Sequence, residues 1–129
     1  ILENYPGFGT FAGSEVFLLD TLRGGGVGCI TATGNVNPVG IRKVYENWET
    51  PEADALQAAI TKTRKIIQSR TLVPALKAII SHYHNDPNWG RLLPPMNSLT
   101  TDEINGLIAD LEADEGFSIA PAALDNAAE

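Results

Sequence analysis

Residues 8–35 read FGTFAGSEVFLLDTLRGGGVGCITATGN, and this stretch decides the fold of the chain. Positions 7–12 carry Phe8, Thr10 and Phe11, which favour strands. Positions 27–33 are nearly all small or apolar, as in a strand covered on both faces. Ser14 can cap a helix between the two runs, and the glycines at 24–26 can end it. This order predicts a βαβ unit with two parallel strands and a right-handed crossover.

The rest of the chain is predicted to be helical. Asn37 and Pro38 provide a cap and a first-turn proline, and residues 50–52 begin another helix in the same way. Apolar residues spaced three and four apart are expected to face the core. In the first three helices they are Val16, Phe17, Leu19, Leu22, Ile41, Val44, Tyr45, Trp48, Ala55, Leu56, Ala59, Ile60 and Ile67.

Two further helices are predicted downstream. Pro74 opens one of them, and Thr100 with Glu103 matches a capping box for the other. Gly116 is expected to end that last helix, and residues 117–129 to form a loose tail.

Composition and charge exclude several classes of function. The chain has 129 residues, about one domain, and a formal net charge of -7, which argues against a nucleic-acid partner. Its one cysteine, Cys29, permits no internal disulfide and is expected to be a small buried residue. No apolar run is long enough to span a bilayer, so we expect a cytoplasmic protein. The acidic residues near the end are expected to be a solvated helix face: Asp110, Glu112, Asp114 and Glu115.

Three motifs that suggest chemistry are better explained by structure. The run GGGVG at 24–28 precedes a strand, whereas a phosphate loop follows one, so these glycines are interpreted as a helix stop. His82 and His84 are two apart and diverge on a helix, which makes a metal site improbable. No lysine ends a strand, where a Schiff-base amine would be expected. The lysines are Lys43, Lys62, Lys65 and Lys77.

Polar residues follow both predicted strands at their carboxyl ends, where α/β sheets and barrels assemble their sites. Glu15 follows the first strand, and Thr31, Thr33 and Asn35 follow the second. We expect these residues to form a polar rim. Glu15 has two interpretations of equal weight: a site residue, or a charge that compensates a helix N-terminus.

The order of the motifs resembles one known family. GSE at 13–15 is followed by GGVGCITATGNV at 25–36, then by VPALK at 73–77 and by RLLPP at 91–95 with LT at 99–100. This order resembles the C-terminal portion of the dihydrodipicolinate synthase / N-acetylneuraminate lyase family. Its members are class I Schiff-base aldolases and lyases that hold pyruvate or a related 2-oxo acid.

The resemblance implies an α/β fold, the C-terminal part of a (β/α)8 TIM barrel followed by a helical C-terminal extension. Residues 7–12 and 27–33 would be its last two strands. Residues 1–49 would be the closing βα units, 50–116 the extension and 117–129 the tail. The family's catalytic lysine lies on an earlier strand, so we expect no catalytic residue in this chain.

The resemblance also implies substrate contacts. The positions that match the family's pocket wall and rim are Gly13, Ser14, Glu15, Ile30, Thr31 and Ala32. Ile30 matches the residue whose backbone carbonyl faces the bound oxo acid. Ala32 stands where sialic-acid lyases have a serine, which leaves the aldehyde-side substrate open.

We therefore expect a fragment of a pyruvate-type lyase that needs the missing N-terminal barrel portion and is inactive alone. No metal or cofactor is implied, and homotetramers are common in the family. Two alternatives remain open. One is a non-catalytic paralogue or interaction module that keeps the barrel end, and the other is a small binding protein with a self-contained α+β fold.

Overall fold

A computed structural model describes residues 3–5 and 7–119. In this part of the chain, two short strands and five α-helices follow one another: β1 (Phe11–Ala12), α1 (Leu18–Arg23), β2 (Gly28–Cys29), α2 (Pro38–Asn47), α3 (Ala53–Gln68), α4 (Leu72–Tyr83) and α5 (Thr101–Glu112). Short 3₁₀ turns cover Glu15–Phe17, Ala32–Asn35 and Pro87–Gly90.

The predicted βαβ unit is confirmed. β1 and β2 pair in parallel, with Phe11 opposite Gly28 and Ala12 opposite Cys29. Backbone hydrogen bonds from Val27 N to Thr10 O and from Ile30 N to Ala12 O, both 2.9 Å, extend this pairing. The strands are nevertheless shorter than the predicted ranges of 7–12 and 27–33. Each has one neighbour in the described part, so its other edge makes no ladder hydrogen bonds.

The helix of this unit ends as predicted, but Ser14 caps the 3₁₀ turn at Glu15–Phe17 and not α1 itself, which begins at Leu18. The Ser14 hydroxyl accepts a hydrogen bond from Val16 N at 3.4 Å, and α1 ends before Gly24. Gly25 has φ +88, and a Cβ on Gly26 would lie 2.9 Å from the Thr21 carbonyl oxygen. Both positions therefore require glycine, the first for its left-handed backbone and the second for the close approach of two chain segments.

The prediction that Phe17 faces the core is wrong. Its side chain is exposed, whereas Leu18, Leu19 and Leu22 are buried. The chain enters α1 through a 3₁₀ turn at Glu15–Phe17, which has three residues per turn instead of 3.6. This tighter winding rotates Leu18 into the core and Phe17 out of it.

Two hydrophobic clusters meet on α3. Ala53 and Ile60 of α3 belong to a cluster with residues of α1 and α2, namely Leu18, Leu19, Leu22 and Val44. Ile67, two turns after Ile60, belongs to a cluster with Val36 and with residues of α4 and α5, namely Ala75, Leu76, Ile79, Leu107, Ile108 and Leu111. Because the first cluster spans residue 50, the proposed division into residues 1–49 and 50–116 crosses a shared core.

Three predicted helix starts differ in detail. Asn37 precedes α2, but its side-chain oxygen accepts from Ser118 N at 3.2 Å instead of capping the helix. α3 begins at Ala53, and α4 begins at Leu72, two residues before Pro74. The capping box that opens α5 is confirmed.

Two predictions near the end of the described chain are wrong. Phe117 and Ile119 pack against the α4–α5 core, so the beginning of the predicted loose tail is ordered, while residues 120–129 lie outside the described part. Asp114 belongs to no solvated face, because only 4% of it is exposed. Its carboxylate accepts from the Thr63 hydroxyl at 2.5 Å and pairs with Lys62 at 2.9 Å, which ties the end of the chain to α3.

Burial by itself raises the pKa of Asp114, but the hydrogen bond from Thr63 and the ammonium group of Lys62 outweigh it. The pKa therefore lies below its ordinary value. A carboxylate of this kind stabilises the fold above its unfolded pKa of about 3.9, and the stabilisation is lost as the pH falls through the lower folded value.

We expect Asp114→Asn, in the full-length protein, to lower the free energy of unfolding at pH 7 by about 1 to 3 kcal/mol, because a buried charged hydrogen bond is lost. The difference should shrink as the pH falls below about 4, because Asp114 is protonated first in the unfolded chain and only at lower pH, through its depressed folded pKa, in the native state. Urea unfolding of the variant and the wild type at several pH values measures this difference in the free energy of unfolding. Glu115→Gln is the matched control, because Glu115 is exposed; an equal loss in both variants, or a loss independent of pH, would contradict the expectation.

Candidate functional site

The carboxyl ends of β1 and β2 lie side by side, because the strands are parallel and paired. The chain leaves β1 into the turn that carries Ser14 and Glu15, and it leaves β2 into Thr31 and Thr33. The polar residues predicted at the two strand ends therefore meet at one edge of the sheet, where parallel α/β proteins place their sites.

Glu15 is the centre of this meeting point. It is 1% exposed, and its two carboxylate oxygens accept hydrogen bonds from the hydroxyls of Thr31 and Thr33. The carboxylate thus joins the end of β1 to the end of β2. Glu15 is also the first residue of the 3₁₀ turn that leads into α1, so both interpretations of its role remain open.

Arg64 of α3 supplies the opposite charge. It is 8% exposed, and its Nη1 lies 3.2 Å from Glu15 Oε2 and 3.2 Å from Thr31 Oγ1. We call Glu15, Thr31, Thr33 and Arg64 the Glu15 cluster. Removing one partner of such a buried pair leaves an uncompensated charge, which costs about 3 to 5 kcal/mol. The cluster therefore depends on α3 as much as on the strands.

Gln57 of α3 makes further hydrogen bonds to the turn at Glu15–Phe17. Its amide donates to the carbonyl oxygen of Glu15 at 3.0 Å and to that of Val16 at 3.3 Å. Its side-chain oxygen accepts from Leu19 N at 3.0 Å. Gln57 and Arg64 are seven residues apart, so both lie on one face of α3. That face holds the backbone and the side chain of Glu15 together.

The sequence predictions missed both of these residues. Their positions next to the predicted buried stripe of α3 could have indicated them. Gln57 follows Leu56 in sequence, and Arg64 lies one turn after Ile60. A polar side chain so close to a buried stripe needs a buried partner. The sequence offers no way to choose that partner, which is 49 residues from Arg64.

A surface groove of about 570 Å³ lies beside the cluster, between β2 and α2. Ile30 and Thr31 form part of its wall. Arg42 and Tyr45 line the opposite side, with the guanidinium carbon of Arg42 5.3 Å from the centre of the Tyr45 ring. The groove therefore offers apolar surface and hydrogen-bonding groups next to a buried charged cluster.

Cys29 also lines this groove and is half-buried. Its burial, and then the negative charge of Glu15, raise the pKa of the thiol. A raised pKa keeps the sulfur protonated and makes it a poor nucleophile. This agrees with the interpretation of Cys29 as a packing residue.

The six predicted substrate-binding residues have different surroundings. Ile30 is exposed in the groove wall, and Thr31 joins the wall to the Glu15 cluster. Ala32 packs against the core formed with α4 and α5. Gly13 is exposed, and the Ser14 hydroxyl reaches the Glu15 carboxylate at 3.4 Å. Their contact with substrate stays a prediction.

The predicted polar rim is correct only in part. Thr31 lies at the surface of the groove, but Thr33 is 1% exposed and belongs to the interior of the cluster. Asn35 is exposed, and its amide donates to the Ala32 carbonyl oxygen at 2.9 Å. The 3₁₀ turn at Ala32–Asn35 separates Asn35 from the hydroxyls of Thr31 and Thr33, which lie 3.3 Å apart. An extended strand would have kept all three side chains on one face.

Among the described residues, no three His, Cys, Asp or Glu side chains converge as a metal site requires. His82 is in the last turn of α4, and His84 follows its end. The four lysines lie on α2, α3 and α4, away from the strands. No helix in the described part combines the length and apolar character needed to cross a bilayer.

Comparison with known proteins gives consistent results. The model of the dihydrodipicolinate synthetase family matches residues 1–114. A protein named probable 4-hydroxy-2-oxoglutarate aldolase, mitochondrial, from Emericella nidulans is 42% identical over 60 residues. The matched region covers 44% of this chain and 19% of that protein.

Two crystal structures of N-acetylneuraminate lyase from Fusobacterium nucleatum, one of them complexed with pyruvate, have a similar fold. Their TM-scores are 0.76 and 0.77, at 22% and 21% sequence identity. In each case the likeness covers 88% of this chain and 39% of the other. The chain thus has the fold of part of a TIM-barrel protein.

The family match covers most of the chain, and the resemblance inferred from its motifs is confirmed. This chain belongs to the dihydrodipicolinate synthetase family.

Proposed function

We propose that this chain is the C-terminal part of a lyase or aldolase that binds pyruvate or a related 2-oxo acid as a Schiff base. The observation that carries the proposal is the Glu15 cluster. It lies beside an open groove at the carboxyl ends of parallel strands, the end of a barrel where active sites are built. Family membership and the structural likeness to a lyase complexed with pyruvate support the same chemistry.

In this proposal the chain contributes the wall of the pocket and another segment of the protein contributes the nucleophile. A lysine amine outside these residues condenses with the keto carbonyl, releases water and leaves an imine that accepts electrons from the bond being broken. Ile30, with its backbone carbonyl, and Thr31 line the pocket beside the oxo acid. Gly13 and Ser14 lie toward the distal part of the substrate, with Glu15 behind the wall and Ala32 joining it to the core.

The exposed strand surface supports the need for further barrel strands. Phe8, Phe11, Val27 and Ile30 are all exposed along β1 and β2. Two strands with open edges are marginal in water, and this chain covers 39% of the solved relatives. We propose that the N-terminal strands of a complete barrel pair with these edges. By resemblance the complete protein is a homotetramer; its cytoplasmic location stays a prediction, since the relative from Emericella nidulans is named mitochondrial.

The alternative is a non-catalytic paralogue or interaction module that keeps the end of the barrel. The Glu15 cluster would then be a structural link between strands and α3. A self-contained α+β fold is less consistent with the exposed apolar residues of both strands.

Trapping the imine tests the proposed function. We expect the full-length protein, treated with pyruvate and sodium borohydride, to gain the mass of one reduced pyruvate per subunit, because hydride converts the imine to a stable amine. Peptide mapping should place the adduct on a lysine outside residues 1–129. Lactate, which has no keto carbonyl, is the control and should give no adduct. Absence of the pyruvate adduct would favour the non-catalytic alternative.

The isolated chain should behave differently. We expect residues 1–129, expressed alone, to form no borohydride-dependent adduct and to show no cooperative thermal transition, because its strand edges and apolar strand faces lack their partners. Circular dichroism during heating, together with mass spectrometry, measures both properties. A cooperative melt combined with pyruvate-dependent chemistry would show that the chain is complete in itself.

A further inference from the structure

We propose that Arg64 is a positioning residue for the 2-oxo acid pocket: from α3 it fixes the Glu15 carboxylate and, through it, the hydroxyl of Thr31. This inference rests on the proposed function. It deepens that proposal, because it gives α3, a helix of the predicted extension, a role in shaping the wall of the substrate pocket.

The contacts of Arg64 converge on one nitrogen. Nη1 lies 3.2 Å from Glu15 Oε2, 3.2 Å from Thr31 Oγ1 and 3.5 Å from Thr33 Oγ1. The Nε atom of the same side chain is buried and has no partner among the described residues. The guanidinium is therefore oriented by the Glu15 cluster alone, and its charge is directed at the ends of the two strands.

Thr31 carries the effect to the groove. It is the member of the Glu15 cluster that lines the groove. A threonine hydroxyl has one donor and two acceptor positions. Its proton is donated to Glu15 and one acceptor position is taken by Arg64, which leaves a single acceptor position. Glu15 and Arg64 together thus decide how this hydroxyl is presented to a substrate.

Loss of Arg64 would change this presentation. The Glu15 carboxylate would remain buried with hydroxyl partners but no opposite charge, which is unfavourable in a desolvated site. A shift of the turn at Glu15–Phe17 toward solvent would relieve this, and the hydroxyl of Thr31 would then lose its fixed orientation. The predicted lysine lies elsewhere, so imine formation itself should survive.

The test uses the full-length protein and the pyruvate concentration that gives half of the maximal borohydride-trapped adduct. We expect Arg64→Met, which removes the charge at similar length, to raise this concentration about tenfold while the maximal adduct changes less than about twofold. Arg64→Lys should lie closer to the wild type, because one ammonium group can replace the single nitrogen that makes the contacts.

Thr63→Val is the matched control for stability. Thr63 is the neighbouring residue on α3 and is also buried, but its hydroxyl donates to Asp114 and not to the strand ends. This substitution should lower the unfolding midpoint and leave the half-saturating pyruvate concentration within about twofold of the wild type. A merely structural role of Arg64 predicts that the two variants behave alike.

A double variant shows whether Arg64 acts through Glu15. In a Glu15→Gln background the buried negative charge is gone, so adding Arg64→Met should raise the half-saturating concentration by less than about twofold further. The double variant carries no unpaired charge. If the single Arg64→Met or Glu15→Gln protein does not fold, the half-saturating concentrations of the wild type, the double variant and Arg64→Lys give the comparison, because none of these three proteins leaves a buried charge without a partner.

The outcomes separate the two proposals. If the wild-type protein forms no adduct, the proposed function fails. If the wild type forms the adduct but Arg64→Met matches Thr63→Val, or if its effect is as large in the Glu15→Gln background, the assignment of Arg64 is overturned and the proposed function stands. The assignment is supported if Arg64→Met raises the half-saturating pyruvate concentration, if Arg64→Lys raises it less, and if Arg64→Met has little further effect in the Glu15→Gln background.

Discussion

The buried ion pair between Glu15 and Arg64 is the contact on which the functional end of this chain depends. It joins the turn after β1 to α3, and the hydroxyls of Thr31 and Thr33 attach the end of β2 to the same carboxylate. The two strands share only a short ladder. Their carboxyl ends are held in register largely by side chains that lie outside the sheet.

Helix α3 can hold Arg64 against Glu15 because it belongs to both hydrophobic clusters. Ile60 anchors it against α1 and α2, and Ile67 anchors it against α4 and α5. Because the helix is packed at both of these residues, Arg64, which lies between them, has a fixed position. The helices after the strands are therefore integral to the strand ends, and the hydrogen bond from Thr63 to Asp114 links α3 to the chain that follows α5.

Much of the local structure was predictable because it depends on neighbours in sequence. The glycine stop after α1 and the capping box of α5 each involve residues within a few positions of one another. The two errors have different causes. A helical period misplaces Phe17 because the chain makes a 3₁₀ turn there. The charge of neighbouring residues misplaces Asp114 because its hydrogen-bond partner, Thr63, is 51 residues away.

The amino-acid sequence by itself determined the βαβ unit, the predominance of helices after it, the family, and the positions at the strand ends where polar side chains gather. Hydrophobic periodicity, capping and motif order are local or one-dimensional properties, so they can be read from a single chain. Only the tertiary structure decided that Glu15 is buried, that Thr33 points inward, and that Gln57 and Arg64 hold the turn beside the groove. These assignments depend on which side chains pack together across 30 to 50 residues of chain, and that choice is made by the burial of α3 between two cores.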